Sequence, residues 1–238
     1  MRNALQFSAV LLIALGVKLY YSFATVNGLR WILAPTTFLV EAVTGERFAF
    51  ESGAGYMNAG NSFLIAAPCS GVNFLITAFL LLTLIRLLRA RTTGIGWTTL
   101  PVALIAAYAT TIIANTVRIA VALRMQRMQH DVVWVHPEQL HRLEGIFVYF
   151  GFLLLLFVLN DYTGRDHHAR GGRDLIRLAW LPLLVYWAVT LGVPVLNGAY
   201  REGSAFLEHF VFVTVTPLIL MLPLLIFRLL RRGSRHYA

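Results

Sequence analysis

The sequence predicts an all-α fold, a polytopic membrane helix bundle with about six transmembrane helices. Two observations carry this expectation. Hydrophobic residues make up 58% of the 238 and charged residues only 13%, with a mean hydropathy of +0.69. A soluble domain of this size cannot hide so much apolar surface. Apolar runs near the length of about 20 residues needed to cross a bilayer recur at 4–23, 71–89, 99–122, 142–160, 178–197 and 206–228. The arginines gather at the ends of these runs, so the net charge of +9 reads as membrane orientation and argues against a nucleic-acid surface. No repeat or low-complexity tract divides the chain, and it reads as a single integral membrane domain, 1–238.

The elements follow in order. The first run carries Lys18 and is followed by no small-residue cleavage motif, which predicts a retained first helix. The stretch 29–43 is apolar but short and holds Pro35, Thr36, Thr37 and Glu41, which suits an interfacial or re-entrant segment. From Glu46 to Ala67 the chain turns polar and glycine-rich. Alternation in 47–51 and 62–65 suggests a small hairpin or irregular extracytoplasmic cap. Arg86, Arg89 and Arg91, then Arg165, Arg170, Arg173 and Arg177, then Arg228, Arg231, Arg232 and Arg235 fall on one side of a six-span topology, together with Arg2. The positive-inside rule makes that side cytoplasmic, with both termini inside and the start of the 71–89 helix at the outer face.

That start holds the only cysteine, in Pro68-Cys69-Ser70-Gly71-Val72-Asn73. A thiol on the first turn of a helix meets the positive end of the dipole, which favours thiolate, and free N–H groups that can steady an oxyanion. Ser70 is expected to cap some of those groups. The alternative is a small apolar side chain packed between helices. Arg118 lies about 17 residues beyond Pro101, or roughly 26 Å up the next helix at 1.5 Å per residue, close to the outer surface. A guanidinium among apolar residues needs a partner or a task, unless it snorkels to the headgroups. Asn115, three residues earlier on the same face, can brace it. His141 opens the following helix at the same depth and is suited to take a proton from a thiol and return it to a leaving amine. Glu144 can orient the imidazole or pair with Arg142. His130 and His136 lie in the preceding loop, without a recognisable zinc-ligand spacing. No metal and no cofactor are expected: the chain has no P-loop and no Gly-x-Gly-x-x-Gly.

A Cys-Ser-Gly start to one helix, Asn115-x-x-Arg118 at the outer end of the next and His141-x-x-x-Gly145 opening the third resemble the exosortase/archaeosortase family over about 55–150. Lys18-Leu19-Tyr20-Tyr21, Ala34-Pro35-Thr36 and Gly55-Tyr56 are similar to the short exosortase K branch. The resemblance implies a multi-pass enzyme of the bacterial inner membrane. It would be a cysteine transpeptidase or protease that cuts C-terminal sorting signals, a short motif followed by a membrane helix and a basic tail, from secreted proteins. Carried over, Cys69 is the nucleophile, Arg118 the oxyanion or substrate-positioning group and His141 the acid/base. Ser70, Gly71, Asn73, Asn115 and Glu144 then support the substrate site. Two other classes stay open on the residues alone. One is a thiol-dependent acyltransferase acting on lipid; the other is a non-enzymatic assembly subunit in which Cys69 only packs.

Overall fold

The computed structural model describes residues 2–60, 62–90, 95–128, 137–163, 178–196, 198, 201 and 203–233. Apart from one small sheet, the fold is helical. It comprises α1 (Arg2–Phe23), α2 (Arg30–Thr44), β1 (Phe48–Glu51), β2 (Gly55–Asn58), β3 (Leu64–Ile65), a 3-10 turn (Ala67–Ser70), α3 (Val72–Arg89), α4 (Thr99–Met128) and α5 (Pro137–Thr163). Then come α6 (Leu181–Trp187), a π turn (Ala188–Gly192), α7 (Val193–Leu196) and α8 (Ser204–Gly233). The chain forms two compact units, Met1–Tyr149 and Phe150–Ala238.

Among the described residues, five helices are long and apolar enough to cross a membrane: Ala4–Phe23, Ala67–Arg89, Thr99–Arg127, Arg142–Asn160 and Phe206–Pro223. Large apolar side chains point outward along them, among them Leu12, Ile105, Phe147 and Ile219, as expected where lipid replaces water. The expected span at 178–197 is shorter, an apolar helix Leu181–Leu196 broken by the π turn. Pro194 accounts for the break, because it cannot supply the N–H that the Thr190 carbonyl would accept in an α-helix. The 29–43 stretch forms α2, whose 15 residues extend about 22 Å at 1.5 Å per residue, less than a hydrocarbon core of about 30 Å.

In the first unit α3 packs on α1 and α4, and α2 packs on α4. The Gln6 amide, fully buried, exchanges both of its hydrogen bonds with the backbone of Ile95 and so ties α1 to the α3–α4 connection. The polar stretch after α2 is an antiparallel sheet of three strands, one more than a hairpin, in the order β1-β2-β3 with Phe48 opposite Asn58 and Tyr56 opposite Ile65. Gly55 is required there: its φ of 138° and the backbone of Ile65 leave no room for a Cβ. Asn58 closes the β2–β3 loop, its Oδ1 accepting from the N–H groups of Ser62 and Phe63 at 2.9 and 3.0 Å. Glu41 of α2 accepts the Phe48 N–H at 2.7 Å, and Gln126 and Arg127 of α4 reach Ser62 and Glu46. The sheet therefore caps the end of the unit where α4 finishes and α3 starts.

Three proline-freed carbonyls are each met by a side chain from another helix. Pro35 leaves Trp31 without its i+4 donor, and the Tyr108 hydroxyl donates to that carbonyl at 2.6 Å while its ring stacks on Trp31. In the second unit, Pro217 frees Val213, which accepts from the Trp187 indole at 3.0 Å. His209 Nε2 lies 3.3 Å from the freed Thr190 carbonyl, so it carries the proton in this contact. An unmatched carbonyl in an apolar medium costs several kcal/mol, roughly, and each of these donors offsets that cost.

Candidate functional site

Cys69 does not stand on the first turn of α3. It lies on the short 3-10 turn before it, separated from α3 by Gly71, which adopts a left-handed φ of 72° and breaks the helix there. A Cβ on Gly71 would also press on Thr111 Cγ2 at 3.2 Å and on Asn115 Cγ and the Tyr149 hydroxyl at 3.4 Å. Glycine thus permits both the bend and the close approach of α4. Ser70 is not the expected cap. Its Oγ is fully buried and has no hydrogen-bond partner among the described residues, and no side chain caps α3. The N-cap position of α3 is Gly71, which has no side chain to offer the first-turn N–H groups. Cys69 itself is half-buried.

Asn115 binds this turn to α4 and α5. Its Nδ2 donates to the Cys69 carbonyl, and its Oδ1 accepts from Arg118 Nε at 3.2 Å and from the Tyr149 hydroxyl at 2.9 Å. Arg118 is buried, lies 5.5 Å over the Tyr149 ring, and interacts electrostatically with Cys69 and Glu144. It does not snorkel. The Tyr149 ring stacks on Phe74 of α3 at 4.8 Å, which closes the other side. Glu144 is buried and interacts electrostatically with Arg118. Gly145 faces the same arginine: a Cβ there would meet Arg118 Cδ at 3.9 Å, an ordinary van der Waals contact. Asn73, on the exposed side of α3, accepts a hydrogen bond from Lys18 Nζ at 2.9 Å.

The structure therefore brings Cys69, Ser70, Gly71, Asn73, Asn115, Arg118 and Glu144 to one end of the first unit. His141 lies on α5 one helical turn before Glu144, and its side chain is outside the described residues, as are His130 and His136. Tyr149, Phe74 and Lys18 belong to the cluster but did not stand out in the sequence. Tyr149 falls one turn after Gly145, and that i+4 step from an unusual helical glycine is the one signal that marks it. In chemical terms, a cation and an uncapped helix start lie near one thiol, with a buried amide joining the cation to the cysteine backbone. Such a set can stabilise negative charge on an oxygen bound beside the sulfur. Scans of the chain against protein-family models, curated proteins and solved structures give no match.

Proposed function

We propose that this chain is a membrane cysteine transpeptidase or protease of the exosortase/archaeosortase kind. It acts at the outer face of the bacterial inner membrane on secreted proteins anchored by a C-terminal motif, helix and basic tail. The observation that carries the reading is Asn115, which holds the Cys69 carbonyl with one end of its amide and Arg118 with the other. A packing cysteine needs no such arrangement, and a buried arginine turned on a thiol calls for a task.

In the proposed reaction His141 takes the thiol proton and Cys69 Sγ attacks the substrate carbonyl carbon. Arg118 and the N–H groups at the start of α3 stabilise the oxyanion. The C–N bond breaks, the leaving amine takes the proton from His141, and the hydrophobic tail departs from a thioester on Cys69. Water, or an amine or sugar-linked acceptor, then attacks the thioester. It gives its proton to His141, which passes it to the sulfur as the C–S bond breaks and the thiol is restored. The test is Cys69→Ala in the native host. Secreted proteins with such tails should keep them and remain membrane-anchored. Unchanged processing, with the variant present in the membrane at wild-type level, would show that the thiol only packs.

A further inference from the structure

The backbone leading into the Cys69 turn has one unmatched position. In an antiparallel pair, successive residues turn their N–H and C=O alternately toward the partner strand and away from it. Asn58 N–H donates to the Phe63 carbonyl at 3.1 Å, and Tyr56 stands opposite Ile65. Phe63 and Ile65 therefore face β2, and Leu64 between them turns its N–H and C=O to the outer edge of β3. No other strand pairs with that edge, since β3 ends the sheet. On either side of Leu64 the chain is met. The Ser62 carbonyl accepts from Gln126 Nε2 of α4 at 2.9 Å, and the Ala66 carbonyl from the Cys69 N–H at 2.8 Å. Leu64 is exposed, and its outward N–H and C=O have no partner among the described residues.

One donor and one acceptor on the same edge residue match the backbone of another extended chain, which supplies one of each. A lipid phosphate supplies acceptors only and would leave the carbonyl unmet. Position narrows the occupant further. Only Ile65, Ala66, Ala67 and Pro68 separate Leu64 from Cys69, a reach of no more than about 18 Å. A peptide whose carbonyl lies at the Cys69 sulfur spans that distance with about five extended residues. The departing tail of the proposed substrate is a membrane helix, whereas β3 belongs to the cap, so the segment beside β3 is the one before the scissile bond.

We propose that β3 is a substrate-binding edge: the stretch of a secreted protein just before the scissile carbonyl lies extended along it and exchanges hydrogen bonds with the Leu64 N–H and C=O. This rests on the reading of Cys69 as a nucleophile.

Two acyl donors with one leaving group test it on the purified full-length protein in detergent: the p-nitrophenyl esters of acetyl-alanine and of acetyl-hexaalanine. Each acylates the Cys69 sulfur, forming the C–S bond as p-nitrophenolate leaves with the C–O electron pair, but only the longer one reaches Leu64. The longer ester is expected to acylate about 5- to 100-fold faster, the range set by two backbone hydrogen bonds. A scan of single N-methyl groups along it should find one position, the donor to the Leu64 carbonyl, where much of that gain is lost. Leu64→Pro removes the outward N–H and none that β2 uses, as an edge strand tolerates. It should slow the longer ester about 3- to 10-fold and leave the shorter one unchanged. Leu64→Ala keeps the backbone and should stay within about threefold of wild type for both. No advantage of the longer ester, or an advantage that survives every N-methyl group or Leu64→Pro, would overturn the proposal. If Leu64→Pro slows both esters, the sheet itself is disturbed and the N-methyl scan on the wild type decides. If neither ester acylates the wild type faster than Cys69→Ala, the nucleophile reading itself fails, and this inference with it.

Discussion

Asn115 uses both ends of one amide to join three elements: the Cys69 turn, α4 and α5. Asn115→Leu keeps the branched shape but strands the Cys69 carbonyl, Arg118 Nε and the Tyr149 hydroxyl. Each buried group left unmatched costs about 1–3 kcal/mol. The variant should unfold at lower temperature in detergent and lose Cys69 acylation by p-nitrophenyl acetate. Tyr149→Phe keeps the stack on Phe74 and loses one hydrogen bond, so its stability should fall by only about 1 kcal/mol. Comparing the two melting temperatures checks the order. At this scale the sequence was partly legible. The i, i+3 spacing of Asn115 and Arg118 and the glycine after Ser70 could be read directly. The surroundings of Ser70 and Glu144 could not, because the burial of each depends on which way a neighbouring helix turns its face. Tyr149 was hidden for another reason: an aromatic in an apolar helix looks the same whether it faces lipid or a guanidinium.

The helices of this chain contain prolines that most soluble helices would not tolerate. The carbonyl four residues before a helical proline is known from arithmetic alone; Pro35, Pro194 and Pro217 mark Trp31, Thr190 and Val213. Their donors, Tyr108, His209 and Trp187, come from other helices and emerge only with the fold. The Trp187–Val213 contact gives a direct test. Trp187→Phe leaves the carbonyl unmatched and should cost about 1–3 kcal/mol in thermal unfolding. Pro217→Ala restores an N–H to the same carbonyl, so Trp187→Phe/Pro217→Ala should be more stable than Trp187→Phe alone. A double variant no better than the single would show that the indole contributes packing and not a hydrogen bond. The same arithmetic explains why 178–197 reads as a span but forms a shorter, interrupted helix: Pro194 is invisible to hydropathy and decisive for the backbone.

For the whole molecule, composition was the most legible feature, because apolar surface on this scale has few resting places other than a bilayer. The orientation rests on the arginines and is testable apart from the chemistry. In a Cys69→Ala background, Ser52→Cys in the β1–β2 turn should react with a membrane-impermeant maleimide on intact cells. Trp97→Cys, just before α4, should react only after permeabilisation. The reverse pattern would place the thiol cluster on the cytoplasmic side, where no secreted protein could present its tail.

The most direct measurement of the central claim is the state of the Cys69 sulfur during turnover. The protein would be isolated from native membranes under acid conditions, and its Cys69 peptide examined by mass spectrometry with and without neutral hydroxylamine. The account predicts a fraction carrying an acyl fragment from a secreted protein, linked as a thioester and released by hydroxylamine. A Cys69 found only as free thiol, in cells where tail removal proceeds and Cys69→Ala leaves it unaltered, would contradict it.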